Sequence, residues 1–126
     1  MQRAIGIAAA ALGASAVILG AFGAHALQGR LDEAALRVWQ TAVEYQFWHA
    51  LALLAVGGFS PVRGMRHLRA SAIAFCAGTA LFCGSLYALA LGAPHWFGAI
   101  TPLGGLSLIA GWGLLGTAFW CSAASK

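Results

Sequence analysis

Apolar residues in this chain fall in long blocks separated by short segments that carry nearly all of the charge. The first block runs from Ala4 to Ala26, with His25 its only strongly polar side chain. Two more, Ala70–Leu91 and Thr101–Ala124, contain no acidic or basic residue. Each exceeds the roughly 20 residues that a helix rising about 1.5 Å per residue needs to cross a hydrocarbon layer of about 30 Å. Thr101 followed by Pro102 predicts an N-cap and first helical position for the last block. A fourth block, Ala50–Phe59, is too short alone. Extended back to Gln40, it reaches spanning length and brings Thr41, Glu44, Tyr45, Gln46 and His49 into the membrane. Ahead of it, Leu31–Trp39 reads as an amphipathic interfacial lead-in, separate from the second span or continuous with it, that Asp32 caps and Glu33 supports by pairing with Arg37, with Trp39 and Trp48 setting depth. The predicted fold is all-helical: one integral domain over residues 1–126, a four-helix transmembrane bundle with spans near 4–26, 40–59, 70–91 and 101–124.

Composition supports this. Hydrophobic residues make up 61% of the chain and charged ones 8%, against about 25% charged in a soluble domain. The net charge of +4 comes from scattered bases without a basic stripe, so no nucleic-acid partner is expected. Arg3, Arg63, Arg66, Arg69 and Lys126 fall on one side of the predicted spans. Arg30 and Arg37 on the other are offset by Asp32 and Glu33. The positive-inside rule therefore predicts cytoplasmic termini. A cleaved signal peptide ending near Ala24–His25–Ala26 is the weaker reading of the first block, which is longer than the usual apolar region of such peptides. Cys76, Cys83 and Cys121 fall within predicted helices and read as packed thiols.

In lipid, helices associate through small residues that let backbones approach and through interhelical hydrogen bonds. Ala80, Gly84, Ala88 and Gly92 form a four-step ladder in the third span. Gly6, Ala10, Ala14 and, on another face, Ala16, Gly20, Ala24 do so in the first. Gly113, Thr117 and Cys121 make a weaker stripe in the fourth, and Gly104, Gly105 and Gly111 suit a tight start to that helix.

The predicted topology gathers His25, Glu44, Tyr45, Gln46, His49, Ser85, Tyr87 and Thr101 in one half of the membrane, as a candidate polar cluster or ligand site. Tyr45, Gln46 and His49 share a helix face; Glu44 falls instead with Arg37, Gln40, Thr41 and Trp48. For Glu44, a structural pairing with Arg37 is favoured over a proton or cation site. A hydrogen-bonded core role for His49 is favoured over contact with a metal, haem or quinone shared with His25, because no dense ligand motif surrounds either. His67 reads as a solvated loop residue and His95 as interfacial. Ser85 and Tyr87 point to different faces and read as separate interhelical donors. No nucleophile elbow or phosphate loop is present, so no catalytic residue, metal site or cofactor is expected.

The stretches GAFGAHAL (20–27), TAVEYQFWHALALL (41–54), CGSLYALAL (83–91), GAITPLGG (98–105) and Gly111–Trp112 together resemble the YgdD-like family of small membrane proteins of unknown function. That resemblance covers all four spans. It implies a bacterial inner-membrane location and no established reaction. The expected function is that of a non-enzymatic structural or accessory protein in the lipid bilayer, which self-associates as a homo-oligomer or joins a larger membrane complex. Two alternatives stand beside it: a small-solute or ion carrier using the outward polar cluster, and a haem-, metal- or quinone-binding redox accessory.

Overall fold

A computed structural model describes residues 1–59 and 64–123. Arg63 and Lys126, counted above toward the basic side, lie outside the described residues. The chain folds into four long helices, α1 (Gln2–His25), α2 (Glu33–Gly58), α3 (Met65–Ala90) and α4 (Ile100–Ala123), with a short 3-10 helix, His95–Ala99, leading into α4. Among the described residues there is no strand.

Three stretches, Gln2–His25, Met65–Ala90 and His95–Ala123, are long and apolar enough to cross a membrane. At 26 residues α2 matches them in length. Its hydropathy is lower because Glu44, Gln46 and His49 interrupt the block, as the pattern of the sequence requires.

The segment predicted as an interfacial lead-in is the first part of α2 itself. Asp32 caps it by accepting from the Ala35 amide at 2.7 Å, which satisfies one of the donors every helix start leaves open. Glu33 pairs with Arg37 at 3.6 Å, both side chains exposed. The helix then continues into the apolar block without a break, because no Gly or Pro falls between Glu33 and Gly57. Thr101 is not the N-cap of α4. The Ile100 amide is already bonded back to Phe97 in the 3-10 turn, and α4 begins there. The Thr101 hydroxyl turns instead to α3, 2.7 Å from Ser85 Oγ.

Helices pack chiefly on their neighbours in chain order, α1 on α2, α2 on α3 and α3 on α4. The start of α1, the end of α2, the start of α3 and the last turns of α4 meet at one end of the bundle. There Gln2 Nε2 donates to the Phe59 carbonyl at 2.8 Å, and Phe59 stacks on Phe119 at 4.2 Å. Gly64 has φ +85°, and an added Cβ would come within 2.7 Å of the Ala118 carbonyl, so both conformation and space reserve this position for glycine. The main core runs along this half through Leu53, Val56, Leu68, Phe75, Leu108 and Ala118. A smaller cluster of Leu27, Trp39 and Ala90 closes the opposite end.

The α3–α4 interface is made by backbone proximity. A Cβ on Gly104 would collide with the Phe82 backbone, one on Gly78 would meet Leu108, and one on Gly111 would meet the Phe75 ring. Gly104 and Gly111 thus serve close helix contact. Ser71 donates to the Gly111 carbonyl at 2.8 Å and Ser107 to the Ala74 carbonyl at 2.9 Å, bonds that gain from the lack of competing water in an apolar surrounding. The four-step ladder predicted in α3 is on another side. Ala80 and Gly84 are exposed, and Gly92 lies past the helix end. At φ +91° its amide bonds to the Leu89 carbonyl, terminating α3 by the left-handed turn glycine allows.

Candidate functional site

Two polar junctions occupy the interior. The first is centred on Gln46, buried at 5% exposure. Its Nε2 donates to the Leu12 carbonyl of α1 at 3.0 Å and to Ser15 Oγ at 2.7 Å, while its Oε1 accepts from the Tyr87 hydroxyl of α3 at 2.9 Å. Because a carbonyl only accepts, Leu12 fixes which end of the amide faces α1. Ser15 in turn donates to the Ala11 carbonyl at 2.8 Å. One side chain of α2 therefore ties three helices, and both amide hydrogens and the oxygen are used.

The second junction is centred on His49, also 5% exposed. Its Nδ1 donates to the Tyr45 carbonyl one turn earlier at 2.7 Å, and its Nε2 accepts from Trp112 Nε1 of α4 at 3.2 Å. These partners select the tautomer with the proton on Nδ1 and leave neither nitrogen free. Phe75 at 5.5 Å and Trp112 at 6.1 Å flank the ring, and Tyr45 stacks over it at 6.1 Å. This is a satisfied, aromatic-walled histidine that joins α2 to α4.

Ser85 and Thr101 form a third, smaller bridge. Ser85 donates to the Phe82 carbonyl at 2.9 Å, so the single proton between the two hydroxyls comes from Thr101.

Of the eight predicted cluster residues, the structure joins Gln46 to Tyr87, Tyr45 to His49, and Ser85 to Thr101. It does not bring in His25 or Glu44. His25 is exposed at the last residue of α1, so no histidine pair forms with buried His49. Glu44 is exposed, beside α1, and has no ion-pair or hydrogen-bond partner among the described residues. The expected pairing with Arg37 is not made, because Glu33, one turn from Arg37, is the nearer carboxylate along the helix and takes it. Among the described residues no group of three or more His, Cys, Asp or Glu is placed to hold a metal ion. His67 is half-buried rather than solvated, and its Nδ1 has no partner among the described residues.

Sequence reasoning missed Ser15, Ser71, Ser107, Trp39 and Trp112 as members of the polar framework. Trp39 sits in the space left by Gly23, whose added Cβ would lie 2.6 Å from the indole, and donates to the Leu19 carbonyl at 2.9 Å. The signal for Ser15 was available: it is the one hydroxyl inside the first apolar block.

Comparison with known proteins places this helical framework in a family. The family model described as "Protein of unknown function (DUF423)" matches residues 19–105. The chain belongs to this family. Its relatives carry the name UPF0382. A UPF0382 membrane protein of Staphylococcus haemolyticus is 46% identical over 96 residues, covering 76% of this chain and 78% of that one. The UPF0382 membrane protein YwdK of Bacillus subtilis is 43% identical over 98 residues, covering 77% and 80%. The UPF0382 inner membrane protein YgdD of Escherichia coli K12 is 40% identical over 99 residues, covering 79% and 76%. No solved structure matches. The DUF423 match takes in Gln46, His49, Tyr87 and Thr101, while Ser15 and Trp112 lie outside it.

Proposed function

We propose that this DUF423 protein is a four-span inner-membrane protein with cytoplasmic termini, which acts without catalysis as a scaffold associating with a second copy or a larger membrane complex. The observation that carries the reading is how the interior polar groups are used. Gln46, His49, Tyr87, Ser85 and Thr101 are engaged with one another or with backbone. A reactive centre needs groups kept available for a substrate; these are committed to joining helices. The outer face of α3 around Gly84 is the opposite case, since nothing lies within 4 Å of an added Cβ there and Ala80 beside it is exposed. Such a small-residue face lets another helix approach closely in lipid.

Gentle extraction from native membranes is expected to yield the protein with a second copy or a partner. Gly84→Leu, whose Cβ has no atom of its own chain within 4 Å, should weaken that association about tenfold or more while leaving the protomer folded, since each loss of about 1.4 kcal/mol in close packing is a factor of ten. A wild-type protein that runs strictly alone in such extracts would remove the basis for the scaffold.

Orientation rests on Arg3, Arg66 and Arg69, all exposed toward the bundle end where Gln2, Phe59 and Phe119 lie. A fluorescent-protein fusion after Lys126 is expected to be bright and an alkaline phosphatase fusion there inactive; the reverse pair of results would invert the topology.

A further inference from the structure

On the four-span reading proposed above, α2 carries Glu44 into the membrane without a counter-charge among the described residues, and the fold places it in a groove. Gly20, Val43 and Glu44 line two adjoining clefts between α1 and α2. The first, about 290 Å³, lies toward the α1 C-terminus and presents Gln28, Gln40 and Trp39 beside Glu44. The second, about 510 Å³, runs deeper along the helices and is walled by Ala16, Val17, Ala21, Phe47 and Trp48. A cleft of mixed polarity thus adjoins an open apolar groove, with Glu44 lining both. Gly20 lets α1 approach α2 closely along this groove, since a Cβ there would lie 3.3 Å from Val43.

We propose that this groove binds a membrane lipid bearing a primary ammonium headgroup, with the ammonium on Glu44 and an acyl chain in the apolar cleft. Charge selects the class. A carboxylate facing the bilayer is costly unless paired, and no lysine or arginine lines either cleft, so an anionic head is disfavoured. A divalent cation calls for several oxygen ligands of which carboxylates are the main source, and Glu44 is the only acid present. A quaternary ammonium donates no hydrogen bond and is recognised by an aromatic cage; the polar cleft offers one indole. A primary ammonium has three donors, which matches the Glu44 carboxylate and the amide oxygens of Gln28 and Gln40. The apolar cleft selects a lipid over a free amine, because it supplies room for hydrocarbon that a small amine leaves empty.

The test is native mass spectrometry of the full chain released from micelles holding equal amounts of phosphatidylethanolamine, phosphatidylcholine and phosphatidylglycerol with identical acyl chains. Wild type is expected to retain the ethanolamine lipid about tenfold over either competitor, the scale of a charge-assisted hydrogen-bond set. Glu44→Gln, nearly isosteric and exposed, should bring the ratio to about one at unchanged helix content. Val17→Trp, which fills the apolar cleft, should lower retention of all three lipids. Equal retention by wild type, or an ethanolamine preference that survives Glu44→Gln, would overturn the site. Soluble ethanolamine that displaces the lipid at equal concentration would overturn the assignment to a lipid. None of these readouts depends on oligomeric state, so the scaffold reading stands or falls separately.

Discussion

Gly104→Val is expected to separate α4 from α3 and leave little folded protein. The added atoms would meet the Phe82 backbone, and backbone cannot move aside by changing a rotamer. Overpacking of a well-fitted interior commonly costs about 1–3 kcal/mol, and a clash with main chain belongs at or above the top of that range. Three interhelical hydrogen bonds, Ser71 to Gly111, Ser107 to Ala74 and Thr101 to Ser85, depend on the same close approach, so they would be lost with it. Gly113→Val supplies the comparison. It lies on the same helix, nothing stands within 4 Å of its added Cβ, and its effect should stay within about 0.5 kcal/mol. Unfolding in mixed micelles, followed by circular dichroism, measures both. Equal stability of the two variants would mean that α3 and α4 do not meet where described.

The second large effect is expected at Gln46. Replacing it with leucine removes three hydrogen bonds and leaves the Tyr87 hydroxyl without its acceptor inside the bundle. An orphaned buried polar group costs about 1–3 kcal/mol, although interhelical hydrogen bonds in membranes average nearer ~0.6 kcal/mol each. Taken together, about 2 kcal/mol is expected for Gln46→Leu. Tyr87→Phe alone should cost less, since its loss leaves the amide with two of its three bonds. In the double variant the orphan disappears, and the two changes should fall short of additivity by about 1 kcal/mol. Strict additivity in the same unfolding assay would show that the two side chains do not touch.

Much of the architecture was legible beforehand. Charge-free blocks located α1, α3 and α4, and the Asp32 cap and Glu33–Arg37 pair were read correctly, although for a lead-in set before a span that began at Gln40. What the sequence did not disclose was which side of each helix faces a neighbour. In a soluble protein the hydrophobic stripe answers that, because water opposes lipid-like surface. Here both sides are apolar, so Ile73 at 69% exposure and buried Phe75 look alike on paper. Counting small residues at four-step intervals shares this blindness: it singled out Ala80 and Gly84, while the close contacts to α4 run through Ser71, Gly78 and Phe82. Polar residues were the better guide. Gln46 and His49 both point inward, since an unpaired amide or imidazole in hydrocarbon is penalised. Their partners could not be named because two of the acceptors, the Leu12 and Tyr45 carbonyls, are backbone atoms that any residue would supply.

The order of helix contacts also bears on biogenesis. Each principal interface joins segments adjacent in the chain, so a polypeptide leaving the insertion machinery completes one seam whenever the next segment arrives. The polar ties of Gln46 to Tyr87 and of His49 to Trp112 wait for later segments, and loop closure adds little entropic cost. Local connectivity of this kind goes with rapid assembly, and it lets the nascent amino-terminal hairpin lock while translation of the remainder is still under way.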